Sequence, residues 1–185
     1  SHCSVMVSKI PEADRIKFKY QGSNIHLPPG LESTIFLHCP EILKHLKGLG
    51  FGDFDCESIY LISKPPRSPS CYWHQDWSYW DDPVSARIFP SQIFIAFYLE
   101  DTDIKNGCLR VIPGSHLNRN KLHGQIGYAH SDQTYYANED SVLFKDTKDA
   151  IPIKLKAGDM AIFDTRILHS TYPNDSDYVR NGLFL

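Results

Sequence analysis

The chain has 185 residues, of which 42% are hydrophobic and 22% are charged, a composition typical of a folded domain rather than of a disordered segment. Its 19 basic and 22 acidic residues give a formal net charge of -3, which argues against nucleic acids and anionic membranes as partners. No stretch approaches the roughly 18 consecutive apolar residues of a membrane-spanning helix.

Cysteine usage and length bear on the compartment and on domain organisation. The five cysteines include no Cys-x-x-Cys pair, which argues against a disulfide framework and a thiolate zinc site. A reducing compartment fits this usage, and without a visible targeting signal we expect a cytoplasmic protein. The length predicts a single domain over 1–185, with a core over about 58–185 and an N-terminal extension over 1–57. Nothing in the sequence indicates the oligomeric state.

The first clear element is a helix that begins at Pro40, a residue suited to a first helical position. Gly48 and Gly50 favour its end. The apolar positions with helical spacing are Ile42, Leu43, Leu46 and Leu49. We expect this helix to cover one face of a sheet.

Short β-rich runs, separated by Pro, Gly, Asn and Asp clusters, follow the helix. The predicted strands are 58–63, 72–77, 92–99, 108–112, 151–155, 160–163, 168–172 and 179–185. Eight antiparallel strands with such turns are typical of a mostly β jelly roll, a cupin-like fold whose two sheets enclose a pocket. A long inserted loop over 117–150 is interpreted either as a lid or as an unstructured segment.

A histidine and an aspartate stand two residues apart in the predicted strand 72–77. Because residues i and i+2 of a strand project from the same face, His74 and Asp76 can bind one metal ion. Two imidazoles and one carboxylate on one face of a divalent metal, with the other positions open, form the facial triad of non-haem Fe(II) oxygenases. The motif therefore predicts a metal site that needs a second histidine from another strand.

Two further histidines bear on this site. His130 repeats the His-x-Asp spacing with Asp132, but this pair lies in the polar insertion, without alternating apolar residues to hold it on a strand. We therefore favour His74 and Asp76. His169 is the best candidate for the second imidazole, because it follows a turn between two predicted strands.

Arg180 lies eleven residues after His169. If the strands 168–172 and 179–185 form a hairpin, positions 169 and 180 face each other across the ladder. A dicarboxylate that chelates the metal at one end would then place its far carboxylate beside the Arg180 guanidinium, which binds carboxylates through two parallel hydrogen bonds. Thr171, on the same face as His169, adds a hydroxyl to this cofactor-binding site. Lys64, before two prolines, marks either the rim of the site or a solvated turn.

Several separate segments share the motifs of one known family. They are Ile62-Ser63-Lys64-Pro65-Pro66, His74-Gln75-Asp76, the block from Asn106-Gly107-Cys108-Leu109 to Pro113-Gly114-Ser115-His116, and His169 with Arg180. On these residues the chain resembles the phytanoyl-CoA dioxygenase family of Fe(II)/2-oxoglutarate-dependent oxygenases. The segment 71–80 is also similar to the metal strand of ectoine-type hydroxylases, which favours small metabolites over acyl-CoA.

The resemblance implies a double-stranded β-helix in which His74, Asp76 and His169 bind Fe(II) and form the catalytic centre. By the same resemblance, Arg180 binds the far carboxylate of the co-substrate 2-oxoglutarate. The implied enzyme is a hydroxylase, an oxidoreductase that converts 2-oxoglutarate to succinate and CO2 while dioxygen oxidises a C–H bond of a small-molecule or acyl substrate. Desaturation and epoxidation use the same oxidant and stay open.

Two other functions fit the same residues. A non-catalytic jelly-roll protein would keep the metal as a structural or regulatory site, and a cupin-like hydrolase or isomerase would use the same ligands with zinc. Arg180 has no evident task in the zinc enzyme. The dioxygenase is therefore the favoured hypothesis.

Overall fold

The computed structural model describes residues 23–26, 40–51, 59–77, 79, 81–127 and 140–185. Within them, one α-helix and eight strands account for most of the regular structure. They are β1 (Ser23–His26), α1 (Pro40–Gly48), β2 (Tyr60–Lys64), β3 (Ile93–Tyr98), β4 (Leu109–Val111), β5 (Ile151–Pro152), β6 (Met160–Asp164), β7 (His169–Thr171) and β8 (Arg180–Phe184).

The strands form two antiparallel sheets. The large sheet has the order β1-β2-β8-β3-β6, and the small sheet has the order β5-β4-β7. An isolated bridge between His74 and His169 places the segment 72–77 beside β7 at the edge of the small sheet. This arrangement confirms the mostly β, jelly-roll class that the strand pattern predicts.

Strand β3 separates two apolar clusters, because successive side chains of a strand point to opposite faces. The inner cluster lies between the sheets and contains Phe94, Ala96, Tyr98, Leu109, Val111 and Phe163. The outer cluster lies between the large sheet and α1 and contains Ile42, Leu46, Ile59 and Ile95. Each leucine, isoleucine, valine or phenylalanine side chain that is fully buried in these clusters stabilises the fold by about 1.5–3 kcal/mol.

Helix α1 begins at Pro40 and ends at Gly48, as the sequence predicts. Ile42 and Leu46 are buried against the large sheet, so the helix covers that sheet. Gly50 has a φ of 86°, a conformation that favours glycine after a helix. Among the described residues, no helix has the length and apolarity needed to cross a membrane.

The prediction of a strand over 72–77 is wrong beyond the single bridge at His74. The backbone N–H groups of this segment donate to carbonyls from several parts of the chain instead of to one neighbouring strand. Trp73 donates to Leu143 at 2.8 Å, His74 to His169 at 3.0 Å and Asp76 to Thr165 at 3.0 Å. Strand β1 is absent from the predicted strands; it pairs with β2.

The predicted hairpin between the last two strands is also wrong. Strand β7 pairs with β4 in the small sheet, whereas β8 pairs with β2 and β3 in the large sheet. The chain crosses between the sheets through Asn174, which is buried and donates from its side-chain amide to the carbonyls of Lys64 and Tyr178. Arg180 is thus opposite Lys64 of β2, not opposite His169.

The described ends of the insertion 117–150 pack on the small-sheet side of the molecule. They form short 3-10 helices over Lys121–Gly124 and Val142–Phe144. Leu122 and Leu143 are buried in a cluster with Tyr72, Trp73, Ile112 and Leu168. These ends are therefore part of the folded core. His130 and Asp132 lie outside the described residues.

Candidate metal centre

Three side chains converge where the segment 72–77 meets the start of β7. The bridge between His74 and His169 consists of two backbone hydrogen bonds of 3.0 Å, one in each direction. It sets the two imidazoles side by side, with ring centroids 4.1 Å apart. Asp76 follows two residues after His74 and reaches the same point. We call His74, Asp76 and His169 the triad.

The geometry of the triad suits one metal ion. The carboxylate of Asp76 lies 3.7 Å from Nε2 of His74 and 3.6 Å from Nε2 of His169. One ligand atom of each residue lies within 4.8 Å of the other two. Both histidines are buried, whereas the side chain of Asp76 is 33% exposed. The three ligand atoms therefore share one side of a site that is open toward solvent at Asp76.

Both imidazoles are oriented by their own backbone. Nδ1 of His74 lies 2.9 Å from the carbonyl of Tyr72, and Nδ1 of His169 lies 3.0 Å from the carbonyl of Ile167. A carbonyl only accepts, so in the neutral ring each Nδ1 carries the proton and each Nε2 has the lone pair that a metal ion requires. Such contacts fix the tautomer and the ring orientation of metal-binding histidines. The triad is thus ready to coordinate a divalent ion through two nitrogens and an oxygen.

Gln75 points away from the triad, as the alternation of an extended segment predicts. Its side chain is 2% exposed, and its amide Nε2 donates to the carbonyl of Arg166. The same nitrogen lies 3.2 Å from Nε2 of His123 in the insertion. Gln75 therefore has a structural role, because it connects the segment 72–77 to Arg166 and to His123.

Arg180 is a buried guanidinium with few partners. Its side chain is 2% exposed, and it lies over the ring of Tyr98 with 5.5 Å between Cζ and the ring centroid. Among the described residues, neither Nε nor Nη1 of Arg180 has a hydrogen-bond acceptor, and the hydroxyl of Tyr98 also has no partner. Burial raises the pKa of Tyr98, so its hydroxyl stays protonated and can donate. Buried donors of this kind fit a carboxylate ligand.

Lys64 connects Arg180 to β7. It is paired with Arg180 in the register of β2 and β8, and its Nζ donates to Oγ1 of Thr171 at 3.2 Å and to the carbonyl of Pro69 at 2.7 Å. Burial is the main cause that lowers the pKa of Lys64 to about 8; Cys71 opposes this shift, and Arg180 and Arg110 contribute to it. Lys64 is therefore a buried cation in the site, not part of a solvated turn.

The hydroxyl of Thr171 is already oriented by two donors. Lys64 Nζ and the backbone N–H of Cys71 each lie 3.2 Å from Oγ1. Because both hydrogen bonds use lone pairs, the hydroxyl proton can point to a further acceptor. The turn residue Gly107 lies against the same lysine: its φ is 82°, and a Cβ there would lie 2.5 Å from Lys64 Cε.

The sequence could not show that Tyr98 and Lys64 share this space with Arg180. Tyr98 lies in the predicted strand 92–99, and Lys64 lies between the predicted strand 58–63 and two prolines. The pairing of β8 with both β2 and β3 brings them together. The aromatic residues near the triad lie in different environments. Trp73 is fully buried beneath the insertion, and Tyr79 is 65% exposed; Trp80 lies outside the described side chains.

Comparisons with known proteins agree on one family. The family model described as Phytanoyl-CoA dioxygenase (PhyH) matches residues 37–182. The chain is 30% identical over 135 residues to "Phytanoyl-CoA dioxygenase 1" of Oryza sativa subsp. japonica, covering 70% of this chain and 42% of that protein. It is 30% identical over 154 residues to "Probable alpha-ketoglutarate-dependent hypophosphite dioxygenase" of Stutzerimonas stutzeri, covering 78% of this chain and 48% of that protein. The chain thus spans less than half the length of these relatives.

Solved structures share the fold. The epimerase SnoN in complex with Fe3+, alpha ketoglutarate and nogalamycin RO superimposes with a TM-score of 0.59 at 18% identity, covering 88% of this chain and 61% of SnoN. The non-heme monooxygenase ThoJ, as a nickel complex, superimposes with a TM-score of 0.57 at 25% identity, covering 82% of this chain and 51% of ThoJ. These similarities agree with the jelly-roll topology.

Proposed function

Because the chain belongs to the phytanoyl-CoA dioxygenase family, we propose that it acts as an Fe(II)- and 2-oxoglutarate-dependent dioxygenase. The proposed reaction consumes dioxygen and 2-oxoglutarate, releases succinate and CO2, and hydroxylates or otherwise oxidises a C–H bond. The proposed substrate class is a small organic molecule or an acyl compound. One observation carries the proposal: the same jelly roll holds the triad and the buried Arg180 guanidinium, whose Nε and Nη1 have no acceptor within the described part of the chain.

The triad provides the ligands that this chemistry requires. His74 and His169 would bind Fe(II) through Nε2, and Asp76 would bind it through a carboxylate oxygen. Two imidazoles and a carboxylate on one face are the ligand set of non-haem Fe(II) oxygenases, in which the remaining positions take co-substrate and oxygen. When bound, Fe(II) would supply the oxidative decarboxylation of 2-oxoglutarate and the oxidation of the substrate by dioxygen.

Arg180 would bind the far carboxylate of 2-oxoglutarate. Its Nε and Nη1 are the buried donors that lack a partner among the described residues, and Tyr98 supplies a third donor beside them. Thr171 would add its hydroxyl proton, since Lys64 and Cys71 already occupy its lone pairs. A dicarboxylate here would offset the positive charge that Lys64 and Arg180 place in the interior.

The two histidines of the triad are shielded from solvent, whereas Asp76 is partly exposed. The imidazole rings are sheltered by Tyr72 and Phe94, whose ring centroids lie 4.9 Å from His74 and 5.4 Å from His169. These aromatic neighbours keep water from the two nitrogen ligands, while Asp76 faces the opening. The substrate would therefore approach from the side of Asp76.

The test is an anaerobic titration of the protein with Fe(II) and then with 2-oxoglutarate, followed by visible absorption. A keto acid chelated to Fe(II) gives a weak charge-transfer band, which we expect only when both are present. His169→Ala should abolish the band, whereas His45→Ala, at an exposed histidine of α1, should leave it unchanged. Iron binding without a band would favour a structural metal site, and activity with zinc in the absence of 2-oxoglutarate would favour a hydrolase or isomerase.

A further inference from the structure

The turn between β6 and β7 contacts the segment that carries Asp76 and leads directly to His169. The carbonyl of Thr165 accepts the backbone N–H of Asp76 at 3.0 Å and that of Trp77 at 3.1 Å. The next carbonyl, of Arg166, accepts the side-chain amide of Gln75. Three residues later the chain reaches His169. The position of Asp76 relative to His169 therefore depends on the conformation of this turn.

The side chain of Arg166 fixes that conformation. It is 2% exposed, and its guanidinium forms a two-pronged ion pair with Asp164, in which Nε lies 2.9 Å from Oδ1 and Nη2 lies 2.6 Å from Oδ2. Oδ1 of Asp164 also accepts the backbone N–H of Arg166 at 2.9 Å. The ion pair thus closes the turn on itself from both the side chain and the backbone.

The other edge of the guanidinium holds the chain that follows Asp76. Nη1 of Arg166 donates to the carbonyls of Ser85 at 2.8 Å and Arg87 at 2.7 Å, and Nη2 lies 3.5 Å from the carbonyl of Ile88. The indole of Trp77 donates to Oγ of Ser85 at 2.7 Å. The chain that follows Asp76 is therefore fixed by two sets of hydrogen bonds to the segment 85–88, one from the indole of Trp77 and one from the guanidinium of Arg166.

Only an arginine satisfies all of these acceptors. The planar guanidinium offers five N–H donors in a fixed fork, so that one edge binds a carboxylate while the other binds carbonyls. A lysine ammonium has three donors on one point and matches the ion pair alone. Asp164 balances the buried charge, since its side chain is 13% exposed.

We propose that Arg166 is a positioning residue for the metal: it holds the Asp76 carboxylate and the His169 imidazole at their spacing by joining the turn 164–167 to the segment 85–88. The inference rests on the proposed function, because it assigns the triad to a metal ion. Removing contacts that orient metal ligands typically costs 10- to 100-fold in affinity. Loss of the Arg166 contacts raises the metal dissociation constant by that factor without removing any ligand.

The test is a titration of the metal-free protein with Co(II), whose visible absorption reports both binding and coordination geometry. It compares wild type with Arg166→Met, with Arg166→Lys, and with Asp164→Asn/Arg166→Met, which removes the aspartate charge that the single variant leaves buried. Leu46→Ala is the stability control, because Leu46 is fully buried between α1 and the large sheet, away from the triad. All titrations are run well below the lowest unfolding temperature.

We expect the dissociation constant of Co(II) to rise about 10- to 100-fold in both Arg166→Met variants, with an altered spectrum, and to rise less in Arg166→Lys. Leu46→Ala should lower the unfolding temperature and leave the dissociation constant unchanged. An unchanged constant in Arg166→Met, or an equal rise in Leu46→Ala, would overturn the positioning role. Failure of the wild-type protein to bind Co(II) and Fe(II) would instead overturn the proposed function.

Discussion

Replacing Arg180 by methionine should stabilise the protein without 2-oxoglutarate and abolish the binding of 2-oxoglutarate. Arg180 is 2% exposed, and its Nε and Nη1 lack acceptors among the described residues. A buried charge that has lost its partner destabilises a fold by about 3–5 kcal/mol. The cation–π contact with Tyr98 offsets about 0.5–2 kcal/mol of this cost. Methionine fills similar space without charge, so the expected gain in the free energy of unfolding is about 1–4.5 kcal/mol.

The same substitution of Arg180 should weaken the binding of 2-oxoglutarate. Two charge-assisted hydrogen bonds to a carboxylate contribute about 1.5–3 kcal/mol each, or about 3–6 kcal/mol together. Since about 1.4 kcal/mol changes a dissociation constant tenfold, the constant for 2-oxoglutarate should rise about 100- to 10,000-fold. The metal affinity should change far less, because Arg180 lies on β8 and is not one of the three triad ligands.

Thermal unfolding measures both effects in one experiment. At 2-oxoglutarate concentrations of about 100 times the dissociation constant, the wild-type protein with its metal should gain about 2.7 kcal/mol. The Arg180→Met variant should start from a higher unfolding temperature, by about 2–4 °C per kcal/mol for a chain of this size, and show no response to 2-oxoglutarate.

Arg110→Met is the matched control. Arg110 is as deeply buried as Arg180, but it is ion-paired with Asp146 and lies between the rings of Trp73 and Tyr172, with its Cζ 4.9 and 4.7 Å from their centroids. Its loss should destabilise the protein by about 1–4 kcal/mol. A lower unfolding temperature in Arg180→Met, or an unchanged response to 2-oxoglutarate, would refute the reasoning.

Three further predictions concern the triad, the buried lysine and the helix. His74→Ala should lower Fe(II) affinity in a metal titration more than Arg180→Met does; equal losses would contradict the division of roles. Burial lowers the pKa of Lys64 from 10.5 to about 8. Between pH 8 and pH 10.5 the unfolded chain therefore binds a proton at Lys64 that the folded protein has lost, so the free energy of unfolding rises with pH. Chemical denaturation across this range should show that rise in wild type relative to Lys64→Met, and identical slopes would contradict it. Leu46→Ala should destabilise the fold by about 2–5 kcal/mol in the same assay, and a change below 1 kcal/mol would mean that α1 is not anchored there.

Local features of the candidate metal centre could be predicted from the sequence. The spacing of His74 and Asp76 guarantees that their side chains lie on one side of an extended segment, whether or not a full strand forms. The helix that begins at Pro40 can also be predicted from the sequence, because its signals, the spacing of apolar residues and the glycine at its end, lie within nine residues. The structure brings His169 to the same point through a bridge to His74.

The placement of Arg180 depends on contacts that spacing along the chain does not encode. A hairpin was the simplest arrangement for two strands joined by a short turn, but Asn174 is buried and bonds to Lys64 and Tyr178, so the chain turns across to the other sheet. The choice between these paths depends on Lys64, a partner of Asn174 that is distant in sequence. The segment 72–77 also depends on distant partners, because its N–H groups donate to the carbonyls of Leu143 and Thr165.

The contact between Gly107 and Lys64 couples a surface turn to the charge inside the site. A single methyl group at position 107 would overlap Cε of Lys64 at 2.5 Å and the carbonyl of Tyr172 at 2.9 Å. A shorter side chain at 64 would remove the first overlap but not the second, and the φ of 82° at position 107 is a conformation that favours glycine, so position 107 requires glycine whatever residue stands at 64. The interior charge can therefore be adjusted by substitution at position 64 alone, with Gly107, the triad and Arg180 retained.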